Sequence, residues 1–354
     1  MTIASRCTNY RRGSLYSLLT AVLLATQEPF SALAARRLDS VHFIFVTQFA
    51  LVLSIPLLIM PAASRRDFFA LLSDVRNFGK LLLLFIAGLC GLFLYNIGLS
   101  STHPIITAAV LNLSPFWAVV VASVISKKAI PVSPLVFFGC FSLAFAGAMT
   151  VAWSQLKSSN TLGELLESAL HSKWSYAIPV PIFYALSGTV VGYWFAKFDE
   201  AATIAANFVV SGLILIPATL FILHLHPDFS MSGQGVDAIL LLLLGTFATA
   251  AVGRVFYQIA LTSTDNDNGF VTMFFLLVPA LSALITVPLS WWVPDLHFVA
   301  GRAFFVGLLL ITAPLLLFLL KSWEGSEAVP ANQPTMRAEN YDGIPADRRK
   351  GALS

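Results

Sequence analysis

Ten apolar runs, each close to the length of a bilayer-spanning helix, follow one another between residues 14 and 320. At a rise of about 1.5 Å per residue, a helix needs about 20 mostly apolar residues to cross the hydrocarbon core. A soluble fold would have to wrap these runs in a charged surface. The chain is 57% hydrophobic and only 11% charged, against about 25% charged in soluble domains, so lipid is the solvent that suits it. The runs cover 14–36, 41–61, 80–99, 104–126, 132–153, 174–196, 201–223, 236–261, 268–292 and 297–320. They predict an all-α membrane protein of ten transmembrane helices. A hydrophilic connection, 154–173, divides them five and five. Residues 1–13 form a short N-terminal segment. Residues 321–354, with Pro330, Pro334 and Pro345 among charged and small residues, read as a disordered tail.

Charge placement predicts orientation. Of the 21 lysines and arginines, Arg254 and Arg302 fall inside runs, and Arg36, Arg37, Lys157 and Lys173 fall on one side. The remaining fifteen fall on the other, which the positive-inside rule makes the cytoplasm. Both termini are then cytoplasmic, and 154–173 is extracytoplasmic. Arg11 and Arg12 precede a run long enough to stay in the membrane, with no small-residue cleavage site before the next charge. The net charge of +3 is spread over loops and termini, so it predicts topology rather than nucleic-acid binding. Cys7, Cys90 and Cys140 have no metal-like spacing, and His224 and His226 lack further ligands. No phosphate-binding loop, nucleophile elbow or zinc-protease motif is present, and the chain reads as a non-enzyme without metal or cofactor.

Two segments can be laid over one another. The stretch Phe93-Leu94-Tyr95-Asn96-Ile97-Gly98-Leu99-Ser100-Ser101-Thr102 matches Val255-Phe256-Tyr257-Gln258-Ile259-Ala260-Leu261-Thr262-Ser263-Thr264. After a two-residue length difference, Leu113-Ser114-Pro115 falls on Leu277-Val278-Pro279. The aligned Tyr-Asn/Gln and Ser/Thr positions are not hydrophobic filler. Repeats 14–153 and 174–320 would each hold five helices, an odd number, so the second enters the membrane inverted. Inverted repeats around a central site are the architecture of secondary transporters.

On Tyr95 to Pro115 and Tyr257 to Pro279, within about 14–320, the chain resembles the EamA-type ten-helix members of the drug/metabolite transporter superfamily. Lys127-Lys128 departs from the pattern, which usually has an acidic residue after the fourth helix. The resemblance implies that helices 1–4 and 6–9 surround a cavity with helices 5 and 10 behind. It also implies a cell inner membrane location and favours export.

Ionisable groups inside apolar helices cost roughly 2.5–3.5 kcal/mol on insertion scales and mark function. Glu28, deep in the first run beside Pro29, can take up a proton or meet a cationic substrate; structurally, it can pair with an arginine. Arg254 and Arg302 are the candidate partners. The resemblance favours Arg254, because the eighth helix should face the cavity, while Arg302 is near enough to the surface to snorkel. Arg254 can equally clamp a carboxylate or phosphate. Tyr95, Asn96, Tyr257 and Gln258 are repeat-related, Gln48, Asn112 and Asn207 are polar groups inside apolar runs, and Tyr184 belongs with Trp117 to an aromatic wall. Tyr193 and Trp194 suit the interfacial belt. Gly139, Ser142, Ala146 and Gly147 form a small-residue stripe suited to close helix packing or a homodimer. The reading that follows is a secondary transporter moving a small metabolite, an amino acid or related compound, by alternating access with proton coupling at Glu28. The alternatives are an exchanger of organic anions or sugar phosphates built on Arg254 and, remotely, a receptor or membrane enzyme.

Overall fold

The computed structural model describes residues 3–101, 104–126, 133–155, 173–195, 197–225, 235–263, 274–293 and 301–327. They are helical, with no strand among them. Seven segments are long and apolar enough to cross a membrane: Arg11–Arg37, Ser40–Leu58, Val75–Ser100, Ile106–Ile125, Pro134–Ser154, Glu200–Leu225 and Gly235–Ala260. Shorter apolar helices lie at Ser175–Val191, Val278–Trp291 and Arg302–Pro314. The chain is a multi-pass helical membrane protein.

In chain order the helices are α1 (Ile3–Arg37), α2 (Ser40–Leu58), α3 (Ala62–Ser73), α4 (Val75–Ser101), α5 (Pro104–Leu111), α6 (Ser114–Ser126), α7 (Pro134–Gln155), α8 (Val180–Trp194), α9 (Glu200–Leu225), α10 (Gly235–Phe247), α11 (Arg254–Ser263), α12 (Val278–Trp292) and α13 (Arg302–Glu327). Most of the 154–173 connection lies outside the described residues.

Several elements depart from the apolar-run reading. The charged segment after Pro61 is not a plain loop, because it holds α3. The run 104–126 is two helices. Pro115 has no N–H for the Leu111 carbonyl, and that carbonyl accepts the Ser114 hydroxyl instead. Asn112 and Leu113 form the turn between them. In the run 268–292 a 3₁₀ turn, Phe274–Leu277, leads into α12, with Pro279 in its first turn. The run 236–261 is joined through a π-helical stretch, Ala248–Gly253. Finally, α13 continues to Glu327, so the first seven residues of the segment read as a tail are helical.

Helix α1 is the hub. Its most apolar window is 56% buried, more than that of any other candidate span, and it packs against α4, α5, α10, α11 and α12. Its antiparallel partner is α10–α11. A Cβ on Gly245 would lie 3.1 Å from the Phe30 ring, Thr249 Oγ1 donates to the Leu23 carbonyl at 3.2 Å, and Thr20 Oγ1 donates to the Gly253 carbonyl at 3.3 Å. Helices α4 and α8 are likewise antiparallel, Gly98 against Ala177 and Gly91 against Phe183 and Tyr184, with Lys80 Nζ 6.0 Å from the Phe195 ring centre. Helix α2 meets α9 where Gly212 faces Val52. Helix α7 meets α13 at Gly147, where an added Cβ would sit 2.7 Å from the Gly307 carbonyl oxygen. The small-residue stripe therefore serves packing within the chain at Gly147, whereas Gly139 has nothing within 4 Å of an added Cβ.

Candidate functional site

The turn from α1 to α2 sets the depth of the centre. Asp39 caps α2, accepting from the Val41 and His42 N–H groups at 2.8 and 3.0 Å and meeting His42 Nδ1 at 2.5 Å. Burial alone would raise the Asp39 carboxyl, but the bonds from His42 and Val41 outweigh it, and the group titrates below the usual carboxylate range.

Nine residues before Arg37, Glu28 is 7% exposed. Tyr95 Oη on α4 donates to its Oε2 at 3.0 Å. Among the described residues no basic nitrogen lies within 4.0 Å of the carboxyl. The ring of Tyr184 stands 6.4 Å from that of Tyr95, tilted by 52°. Gly91 makes this possible, because an added Cβ there would lie 3.4 Å from Tyr184 Cε1. Tyr184 follows buried Val180 and Pro181 by one turn on α8, yet it is 37% exposed.

Buried polar atoms without a hydrogen-bond partner occur on several of the helices that pack in the bundle. They are Oγ1 of Thr47 and Oε1 of Gln48 on α2, Oδ1 of Asn96 on α4, Oγ1 of Thr107 on α5, Nδ2 of Asn112 in the turn, Oγ1 of Thr246 on α10, and Oγ of Ser282 on α12. At about 1.5 Å per residue from the Arg37–Ser40 end, Glu28 lies about 14 Å deep, Gln48 and Asn112 about 12 Å, Asn96 about 8 Å, Ser282 about 15 Å and Thr246 about 17 Å. Buried polar groups are nearly always paired, so these atoms stand out among the described residues.

The other predicted residues fall elsewhere. Asn207 Oδ1 is also unpartnered, but about 27 Å from the same end on α9. Arg254 is not the partner of Glu28. It opens α11, level with Thr20 rather than with Glu28, and its Nη1 bonds Glu200 Oε1 at 3.2 Å, both side chains more than 40% exposed. Its guanidinium also lies 5.7 Å from the Tyr257 ring centre, which stands 5.9 Å from Phe275. Tyr257 and Gln258 thus sit with Arg254 near the far end, about 33 Å from the Gly235 end of α10, and do not join Tyr95 and Asn96. Arg302 is the exposed first residue of α13. Trp117 packs against Phe141 beside α7.

Reading the sequence missed Tyr95 as the direct partner of Glu28, Glu200 as that of Arg254, and the four unpartnered hydroxyls. Axial counting sets Tyr95 and Glu28 about 5 Å apart in depth, so it did not pair them. The hydroxyls carried no signal, since Ser and Thr in helices ordinarily bond the carbonyl one turn back, as Ser17 does to Gly13. Among the described residues no three His, Cys, Asp or Glu side chains gather as a metal site.

No family model and no curated protein matches the chain. Among solved structures, a protein of known crystal structure shares 16% identity over 88% of this chain and 98% of its own, with a TM-score of 0.51. That likeness concerns the fold alone.

Proposed function

We propose that the chain is a secondary transporter of the drug/metabolite transporter type, moving a small metabolite by alternating access with a proton carried at Glu28. The observation that carries the reading is the buried Glu28–Tyr95 pair inside the bundle, with further buried polar atoms that lack partners on α2, α4, α5, α10 and α12. A solute able to donate hydrogen bonds suits Gln48 Oε1, Asn96 Oδ1 and the Glu28 carboxyl, while Asn112 Nδ2 offers a donor.

The helix pairing supports ten crossings in two inverted five-helix repeats. A shift of 162 residues carries Gly91, Tyr95 and Gly98 of α4 onto Gly253, Tyr257 and Ala260. A shift of 161 carries Leu23 and Tyr16 of α1 onto Tyr184 of α8 and Ala177, which ends the 3₁₀ turn before it. Gly91 meets Tyr184 and Gly253 meets Leu23; Gly98 meets Ala177, and Ala260 clusters with Tyr16. The α4–α8 interface is thus repeated by α11–α1, and α6–α8 by α12–α1. An inverted repeat also predicts that Tyr95 and Tyr257 fall near opposite ends. In this reading both termini are cytoplasmic, the protein resides in the cell inner membrane, and 14–153 and 174–320 are the two halves.

Anion exchange through Arg254 draws less support, because that guanidinium is engaged with Glu200 about 12 Å along the axis from Glu28. The deciding experiment compares metabolites in medium and cytosol for cells expressing the unmodified chain or Glu28→Ala at matched membrane levels. One compound class moved by the former and not by the latter is the expected result. Equal movement by both removes Glu28 from the mechanism, and movement by neither across a broad panel rejects transport.

A further inference from the structure

Helix α3 joins two candidate spans, Ser40–Leu58 and Val75–Ser100. Ile59, Met60 and Pro61 precede it and Asp74 alone follows it, so it has no slack with which to leave the bilayer surface. Ser64, Phe68 and Leu71 bury one side of it against α9 and α4. The remainder is exposed: the Arg66 side chain at 82%, Arg65, and Phe69 at 58%, with Met60 at 67% and Val75 at 84% flanking it. The acids nearby are already engaged. Asp67 accepts the Asp199 N–H at 2.9 Å and the more distant Arg66 Nη2 at 3.5 Å. Asp74 accepts the Arg76 N–H at 2.9 Å. Among the described residues neither Arg65 nor Arg76 is in an ion pair.

Exposed guanidinium groups beside exposed apolar side chains, held at a bilayer boundary, match an interfacial helix whose cations meet phosphate while its apolar groups enter the acyl layer. We infer that α3 binds anionic phospholipid of the surrounding bilayer, with Arg65 and Arg66 supplying the charge and Met60, Phe69 and Val75 the apolar contact. The surface adjoins the end of the bundle where Glu200 meets Arg254. Asp67 holds the N-terminus of α9, whose first residue, Glu200, bonds Arg254 on α11. The inference stands apart from the transport reading, since its test reads binding alone.

The test titrates the purified full-length chain in detergent with short-chain phosphatidylglycerol, short-chain phosphatidylcholine or inorganic phosphate. The expected result is preference for phosphatidylglycerol, weakened about thirtyfold in R65Q/R66Q, with phosphatidylcholine binding unchanged. Equal phosphatidylglycerol affinity in the double variant overturns the inference, and so does inorganic phosphate binding as tightly as the lipid. Should the variant fail to fold, hydrogen exchange on the unmodified chain in nanodiscs decides. Amides of 62–73 exchange more slowly when phosphatidylglycerol is added to phosphatidylcholine, and unchanged exchange overturns the assignment.

Discussion

A carboxyl at Glu28 is tolerated because a donor reaches it from another helix. Tyr95→Phe keeps the ring against Tyr184 and removes that donor, leaving a buried acceptor unmet at about 1–3 kcal/mol. Combined with Glu28→Gln, the loss should be less than the sum of the single changes, since the two groups form one interaction; thermal unfolding of the four proteins in one detergent measures the coupling. Asp39 makes a different prediction. Its carboxyl titrates below the ordinary range in the folded chain, so its stabilisation is complete above about pH 4 and is lost as pH falls further. Asp39→Ala should lower stability by about 1 kcal/mol at neutral pH through loss of the cap, and the gap from the unmodified protein should close in acid. Denaturation midpoints across pH 3–7 would check it. Glu28 and the amides Gln48, Asn96 and Asn112 were legible as candidates because polar groups in apolar runs are conspicuous. Their partners were not, because nothing in a sequence says which helix stands opposite.

Helix pairs here depend on close backbone approach, and the glycines differ in what they touch. At Gly147 an added Cβ would meet the Gly307 carbonyl oxygen at 2.7 Å and Ile311 N at 2.8 Å, backbone atoms that cannot turn aside. Gly147→Ala should therefore separate α7 from α13 and destabilise by about 1–3 kcal/mol, with no side-chain change restoring it. At Gly212 the obstacle is Val52 Cγ2 at 2.5 Å. Gly212→Ala should likewise destabilise, but Val52→Ala in the same chain should recover most of the loss. Paired melting curves distinguish the two cases, and equal rescue at both sites would contradict the packing. The repeat placed Pro115 and Pro279 at matching positions, each inside a single helix; at Pro115 the run is instead two helices, with the Ser114 hydroxyl on the Leu111 carbonyl. The π-helical stretch at Ala248–Gly253 had no marker in the sequence. It lies where Thr249 donates to both Leu23 and Gly245 carbonyls, a contact with α1 rather than a property of its own residues.

For the whole molecule, the proposed inversion puts Arg76 and Ser133 on the cytoplasmic face and Leu225 on the opposite one. In a background with Cys7, Cys90 and Cys140 replaced by serine, single cysteines at these three exposed positions should react with impermeant maleimide from opposite sides of sealed cells and inverted vesicles. Labelling of all three from one side would reject the topology. Under the proposed pseudo-symmetry the chemistry of the two halves is lopsided. Tyr95 meets a carboxyl inside α1, whereas Tyr257 lies under Arg254 near the other end, so related frames carry different polar groups.

Membrane residence, helix content and the main polar positions followed from the sequence alone, because the requirement for apolar residues every step across a bilayer acts on each helix separately and leaves its mark locally. Which helix becomes the hub, that Glu28 meets Tyr95 and Arg254 meets Glu200, and that the connection after Pro61 folds into α3 were decided only by the tertiary structure. Those outcomes depend on which backbones approach closely enough to touch, through glycines such as Gly91, Gly147 and Gly212 whose importance depends on what lies opposite them.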